Sequence, residues 1–558
     1  MTDKYPEFLS LLWPHGVDRK DSVYKITEYD HIVKDLELEK LAGLLTTNRA
    51  YPIHLSSLLE KFSSDPKVLS YRLDIVEDFM SNSSINGIFN ELLSLISELE
   101  NISRTRGDYE SEVDPLIYRI GELDVYYQCI ELLRKVLDQS VNSEGLLALR
   151  SHILSIVESD EYISLGDELP KMREILNKCQ SLTIGVNLDA QLRPKEAVLV
   201  SINDQEYTQG SLLDRLLNIQ PKTDGFKGIS PLQVIAKGSG PEVEQENAIL
   251  RQAILQAIKK TVRSVLRPVT PMIRRYIRLN GDFLFALAPE IAYYLGLVKL
   301  INTLKAEGLP VCKPEPLAMS ARVFVVKDIY SVNLALQRKT KRKIVVNDIS
   351  FDENGRIFIL TGPNQGGKTT FVQAIGLAQF LFQLGSYVPG SEAKISPVDR
   401  IFSHFPVREK PESNLGRMGE ECARVSEIFE QGSMHSLVLL NETLSSTSPQ
   451  EGMYIAKGIV SGLRLMGARA IYATHFHELA SDLDNINNSV QGSSKVESLV
   501  AGIDPTRTAE GGFSERTFKI IVGPPEGLSY AREIARKYGV SVEQIKDRLE
   551  ERGVLNLS

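Results

Sequence analysis

The chain has 558 residues, 42% of them apolar and 24% charged, with a formal net charge of −8. That length exceeds one ordinary hydrophobic core and predicts about two to four domains. The acidic balance excludes a uniformly basic, histone-like binder but leaves room for a local basic groove. The cysteines, Cys129, Cys179, Cys312 and Cys422, are scattered without a C-x-x-C pair, which predicts reduced thiols in a cytosolic chain and no structural zinc. Met1 to Gly16 carries charges and prolines, so no secretory leader is expected. The longest apolar run, Phe283 to Ala288, stops at Pro289 and Glu290; it reads as too short to span a bilayer, and the expected location is cytoplasmic.

In chain order, residues 1 to about 180 read as mostly helical. Apolar residues recur at helical spacing in Ile32–Leu45, Ile88–Leu99 and Leu146–Ile156. The acids of this half, Glu98 and Glu100 among them, fit a solvated face. Leu182–Asn187 and Ala197–Ile202 alternate and flank Arg193-Pro194, which predicts a short hairpin. Gln220–Glu242, rich in glycine, reads as a loop or hinge.

From Lys259 to Arg278 stand Lys259, Lys260, Arg263, Arg267, Arg274, Arg275 and Arg278, with no acid between them. They form either a polyanion-binding surface, salt-sensitive and indifferent to sequence, or a basic face paired with acids elsewhere in the fold. Pro268 and Pro271 prevent one continuous basic helix. A second cluster, Arg338 to Lys343, reads as a solvated loop.

From about Arg322 the pattern changes. Short apolar runs at Val323–Val326, Ile357–Leu360, Leu437–Leu440 and Ala470–Ala473 alternate with helical segments, the pattern of a largely parallel sheet in an α/β domain. Arg356–Gln373 reads RIFILTGPNQGGKTTFVQ, and Gly362, Gly367, Lys368 and Thr369 fit G-x-x-x-x-G-K-[ST] between a strand and a helix. The residues Gly362, Pro363, Asn364, Gln365, Gly366, Gly367, Lys368, Thr369 and Thr370 are expected to cradle the phosphates of ATP. Lys368 would reach the outer phosphates and the Thr369 hydroxyl would sit on Mg²⁺. Behind the loop, Phe371, Ala374, Ile375, Ala378, Leu381 and Phe382 mark a helix with one face to bury.

The run Leu437–Leu440 ends in Asn441-Glu442. A buried strand at this point in such ATPases ends in acids, the first toward Mg²⁺ and the second toward the attacking water. Glu442 fits the base. Asn441 stands at the metal position with an oxygen but no charge, which predicts weak Mg²⁺ binding or slow turnover. Ala470–Ala473 leads to His475 and His477, and strand alternation favours His475 as the one facing the nucleotide.

TGPNQGGKTTFVQ (361–373), DRIF (399–402), LVLLNETLSSTSPQEG (437–452), ATHFHELA (473–480) and GLSYAREIARKYGVS (527–541) together resemble the MutS DNA mismatch-repair ATPases, in order and near the family spacing. The resemblance implies an ABC-type P-loop ATPase domain of the α/β class over 321–540. It follows a mostly α-helical core and lever domain over 1–320, and a helical dimerisation end spans 541–558. It further implies ATP and Mg²⁺ as ligands and a dimer, homomeric or heteromeric, in which a signature loop completes the partner's site. That loop matches Asn414–Glu421, with Gly416 where the family has a serine and Asn414 still available. Val345, near Asn347, falls where the family stacks an aromatic on adenine, so apolar packing is expected instead.

The family's mismatch-wedging domain does not fit before Asp35, and its clamp is absent or reduced to the hairpin near 182–202. The expected function is therefore an ATP-dependent DNA-binding protein acting on mismatched or structured DNA in repair or recombination. Lys259, Lys260, Arg274, Arg275 and Arg278 would be the contact surface. Two alternatives stand beside it. One is a ribosome-associated MutS paralogue in translation quality control, against which the chain's ending at Ser558 without a nuclease domain counts. The other is a weakly hydrolysing structural partner in a heterodimer, suggested by Asn441 and Gly416.

Overall fold

The computed structural model describes residues 10–17, 30–105, 114–138, 141–178, 180–188, 190–192, 194–206, 208–209, 227–228, 267–276, 279, 281–337, 344–406, 416–444, 448–509, 513–525, 538–552 and 554. They divide into two compact units. One holds residues 87–140 and 148–288, and the other holds 9–86, 141–147 and 289–558. The units do not follow a linear boundary at 320, because the helices before residue 87 group with the sheet-bearing half of the chain.

In the first unit the helical spacing read in Ile88–Leu99 becomes one face of a helix, with Leu92, Leu93, Ile96 and Leu99 buried. Helices Asp114–Leu137 and Asp160–Asn177 follow, and the Tyr127 and Tyr162 rings stack 5.0 Å apart. The expected hairpin is present as Ser181–Leu188 against Pro194–Asn203, antiparallel, with Thr183 opposite Ser201. The Gln220–Glu242 stretch lies outside the described residues except for Lys227–Gly228, which pairs with Thr208–Gln209. Lys259, Lys260, Arg263 and Arg278 also lie outside them. Arg275, in the short helix Thr270–Arg275, pairs with Glu168, and the Tyr276 hydroxyl donates to the same carboxylate at 2.9 Å. For this one arginine the paired reading holds, whereas Arg274 is exposed.

In the second unit, α1 (His31–Asp35) lies beside a six-stranded sheet. Its strands are β1 (Ile357–Thr361), β2 (Ile401–His404), β3 (Leu437–Asn441), β4 (Arg469–Ala473), β5 (Val496–Ala509) and β6 (Phe513–Val522). The order is β2-β3-β4-β1-β5-β6. Every pair is parallel except the last, β5 with β6. Residues of β1, β3 and β4 are buried throughout, as strands covered on both faces must be. A four-stranded sheet lies alongside, built from Glu315–Pro316, Glu392–Ile395, Phe324–Ile329 and Asn347–Phe351.

Three helices carry the site: α2 (Lys368–Gln383), α3 (Gly416–Gln431) and α4 (Pro449–Met466). α2 differs from the one-faced helix expected from its periodicity. It is buried nearly all round, including Gln379 and Gln383. Their nitrogens are paired: Gln379 Nε2 donates to Gln383 Oε1 at 2.9 Å, and Gln383 Nε2 donates to the Val398 carbonyl at 2.8 Å, while Gln379 Oε1 has no partner among the described residues.

The apolar run at Phe283 does not stop at Pro289. The helix Asp282–Ala306 continues through it for 25 residues. By length and composition it is apolar enough to cross a membrane, yet 78% of its most apolar stretch is buried inside the protein. Glu290 is accommodated by two bonds, from the Ser10 hydroxyl at 2.7 Å and from the Leu11 N–H at 2.6 Å. Tyr294 donates to the Leu11 carbonyl at 2.6 Å. Gly296 lets this helix approach helix Leu38–Leu45, because a Cβ there would run into the Leu45 carbonyl oxygen. Cys129, Cys312 and Cys422 are free thiols; Cys179 lies outside the described residues.

Gly296→Ala is expected to destabilise the fold by about 2 kcal/mol, since backbone rather than a flexible side chain must give way. The readout is a lower urea midpoint at unchanged slope. Gly43→Ala, where nothing lies within 4 Å of the added carbon, is expected to leave that midpoint unchanged or raise it.

Candidate nucleotide site

β1 ends at Thr361, and the chain then turns on two glycines that only glycine accommodates easily: Gly362 at φ +134° and Gly367 at φ +92°. A Cβ at Gly362 would also press against Ala501 of β5. The turn delivers the chain into α2, whose first amides have no partner inside the helix and face the loop. Lys368 opens α2 and is only 4% exposed. Its Nζ donates to the Gly362 carbonyl at 2.9 Å and the Pro363 carbonyl at 3.1 Å. Burial pushes its pKa below the usual lysine value; Glu442 opposes this, and Arg516 pushes in the same direction.

Arg516, on β6, is a residue that sequence reasoning missed. Its Nη1 is buried without a hydrogen-bond partner among the described residues. Lys368 at the start of α2, with Arg516 within electrostatic reach of it, forms an environment that favours a polyanion.

Thr369 Oγ1 donates to Asn441 Oδ1 at 3.1 Å, so the two positions expected at the metal meet. Both offer oxygen, the donor type a hard cation takes. Mg²⁺ keeps several waters and uses few protein ligands, so the pair fits it, without the charge a carboxylate would add. No cluster of three or more His, Cys, Asp or Glu able to hold a metal occurs among the described residues.

Beyond Asn441 the backbone bends sharply, with Glu442 at φ +51°. Its N–H donates to the Ala473 carbonyl at 2.8 Å. Glu442 Oε1 lies 3.0 Å from His475 Nε2. That hydrogen bond holds the Glu442 carboxyl below the usual glutamate value, against the opposing effect of burial. Of the two histidines, His475 is therefore the one brought to Glu442. His477 starts the helix His477–Ser481, and its Nδ1 is buried without a hydrogen-bond partner among the described residues.

Gly366, Gly367, Lys368, Thr369 and Glu442 line a cavity of about 370 Å³. Ile344, Val345, Phe371 and Phe518 supply apolar walls, a division that suits a nucleotide with an apolar base and a charged tail. Val345 lines the cavity. An aromatic is nonetheless present, because Phe518 arrives from β6 with φ +55° and lies beside Gly367. Asn347 also borders the cavity, but both ends of its amide are occupied. It donates to the Phe518 carbonyl at 3.2 Å and accepts from the Ile520 N–H at 2.7 Å. Asn347 thus seats Phe518. Nothing in the spacing of the phosphate loop points to Phe518 or Arg516, which lie some 150 residues downstream.

Of the signature segment, Asn414 lies outside the described residues and Gly416 is the first residue of α3. At the C-terminal end the helix Val542–Glu551 has no buried residue, and Val540, Val542 and Ile545 are exposed.

Two family models match the chain. The model of MutS domain V covers residues 358–534, and that of the MutS2 N-terminal domain covers residues 64–307. The chain is 26% identical over 503 residues to the DNA mismatch repair protein MutS of Chlorobium phaeobacteroides, covering 86% of this chain and 54% of that protein. It is 24% identical over 552 residues to the protein of the same name from Thermotoga maritima, covering 97% of this chain and 61% of the relative. Over 202 residues, 36% of this chain and 25% of the relative, it is 30% identical to the endonuclease MutS2 of Thermus thermophilus. The chain thus spans less than two thirds of the length of each of these relatives. With its helical part matched by one model and its nucleotide sheet by another, the chain belongs to the MutS family.

Proposed function

We propose that this chain binds ATP with Mg²⁺ and hydrolyses it as one subunit of a MutS-type dimer, coupling closure of two nucleotide sites to binding of mismatched or structured DNA in the cytoplasm. The observation that carries this reading is that Glu442, 3.0 Å from His475, lines the same cavity as the phosphate-loop residues Gly366 to Thr369. The loop amides and Lys368 bind the phosphates, with the base against Val345 and Phe518. Thr369 and Asn441 hold the metal, which when bound supplies positive charge against the phosphate oxygens. Glu442, kept ionised by His475, accepts a proton from the attacking water as the water oxygen bonds to the γ-phosphorus. The bond to the β-phosphate oxygen breaks, and ADP and phosphate leave. Asn441 adds no charge, so turnover is slow. ATP drives closure only to the extent that it binds the closed dimer better than the open one. Asn414 and Gly416 complete the partner's site, and Arg274 with Lys259, Lys260 and Arg278 meets DNA phosphates.

The match of residues 64–307 to the MutS2 N-terminal domain supports a second reading, a ribosome-associated paralogue with the same engine. The uncharged Asn441 supports a third, a weakly hydrolysing partner in a heterodimer. Turnover by the full chain, measured with heteroduplex, branched DNA or ribosomes, separates them by which one stimulates it. Absence of turnover with all of them leaves the heterodimer partner.

Lys368→Ala is expected to weaken binding of a fluorescent ATP analogue about 100-fold, from the loss of charge-assisted bonds to phosphate. Glu442→Gln should retain that binding and lower kcat about 100-fold or more; equal turnover in the two proteins would eliminate Glu442 as the base. His475→Ala removes the bond that depresses the Glu442 pKa. A depressed carboxylate works above its pKa and fails as pH falls through it, so the acid limb of the kcat profile is expected to move to higher pH.

A further inference from the structure

The turn that carries Glu442 holds two non-glycine residues in the left-handed region, Glu442 at φ +51° and Leu444 at φ +67°. Such residues stay there only when their surroundings hold them. Several contacts do so. Ala473 accepts the Glu442 N–H at 2.8 Å, and the Tyr472 hydroxyl donates to the Thr443 carbonyl at 2.9 Å. His404 Nδ1 lies 3.0 Å from Thr443 Oγ1. Ala473 and Tyr472 belong to β4 and His404 to β2, so these contacts come from strands flanking β3.

The next contact comes from a helix. Leu444 N–H donates to Glu421 Oε2 at 2.7 Å, and Glu421, 7% exposed, stands on α3, the helix that begins at Gly416. One turn further along α3, Arg424 reaches Asp35 of α1 at 3.3 Å and the Ser403 carbonyl of β2 at 3.3 Å. Residues three apart share a helix face. One face of α3 therefore holds the turn after Glu442 and is itself held by α1 and β2.

We propose that Glu421 is a positioning residue for Glu442: its carboxylate fixes the turn that holds Glu442 and Leu444 in the left-handed region and makes the aim of the Glu442 carboxylate depend on where α3 sits. The proposal rests on the reading of Glu442 as the hydrolytic base. Because α3 starts at the signature segment, it also gives a route by which engagement of that segment by a partner would alter the base of the same chain. What matters at Glu421 is an acceptor at the right reach, since the bond is made to a backbone N–H.

Two conservative variants of the full chain separate reach from charge. Glu421→Asp keeps the charge and shortens the arm by one methylene; Glu421→Gln keeps the reach and loses the charge. Steady-state hydrolysis and fluorescent ADP binding are measured for both, with Glu442→Gln as control. The expected result is a kcat about 10-fold lower for Glu421→Asp, with KM and ADP affinity within about twofold of the parent. Glu421→Gln should recover most of the turnover. The proposal is overturned by the reverse order, by equal kcat in both variants and the parent, or by a loss of ADP affinity that parallels the loss of turnover. A parent chain whose turnover is indifferent to Glu442→Gln overturns the hydrolytic reading itself. With a Glu442-dependent parent, the two variants judge Glu421 alone.

Discussion

Parallel pairing of β3 with β4 and of β4 with β1 is the constraint on which the site depends. Leu440 lies opposite Tyr472 and Asn441 opposite Ala473, while Ala473 lies opposite Leu360. The carboxyl ends of three strands separated by many residues in sequence therefore emerge at one level. Ligands of open α/β sheets bind in the crevice at these ends. Here the phosphate loop leaves β1, Asn441 and Glu442 leave β3, and His475 follows β4. A slip of one residue would point the buried side chains to the opposite face. The unbroken apolar runs of all three strands leave no face to exchange for solvent, and the layers packed on both sides hold them in place.

Polar groups are buried around this sheet, and their pairing shows which of them serve the fold. Arg469 is fully buried, and its guanidinium donates to the Val323 carbonyl at 2.9 Å and the Ser396 carbonyl at 3.2 Å. Arg72 likewise donates to the Leu12 carbonyl at 2.9 Å. These arginines tie loops to the core. Lys368 differs, because it borders a cavity and Arg516 adds positive charge within electrostatic reach of it. Such a setting favours a bound polyanion. Glu442 has its carboxyl pKa lowered by the His475 hydrogen bond and is held in a backbone conformation that its neighbours impose.

Much of this site could be read along the chain. The phosphate loop is contiguous, and its glycines, lysine and threonine act within a few residues of one another. Strand alternation favours His475, but residues two apart share a strand face, so it does not separate His475 from His477; the helix that begins at His477 does. Other features were hidden. Phe518 reaches the cavity through an antiparallel hairpin with register shifts in it, which no local period encodes. Glu421 and Arg424 look like surface charges of an amphipathic helix until Leu444 and Asp35 are placed against them, and Arg424 is 389 residues from Asp35 in sequence. Pro289 reads as a stop signal, but helix Asp282–Ala306 passes through it because its buried surroundings outweigh one missing N–H.

By itself the sequence determined those parts whose physics is local: where strands and helices lie, which turn can approach a polyphosphate, and which acid follows a buried strand. Only the tertiary structure decided what stands opposite them. Asn347 bonds the backbone on both sides of Lys519, Arg275 pairs with Glu168, and Glu421 accepts the Leu444 N–H. The physical reason is that backbone propensity and periodicity act over a few residues. Pairing of buried donors and acceptors, by contrast, is satisfied by whichever groups the packed layers bring within about 3 Å.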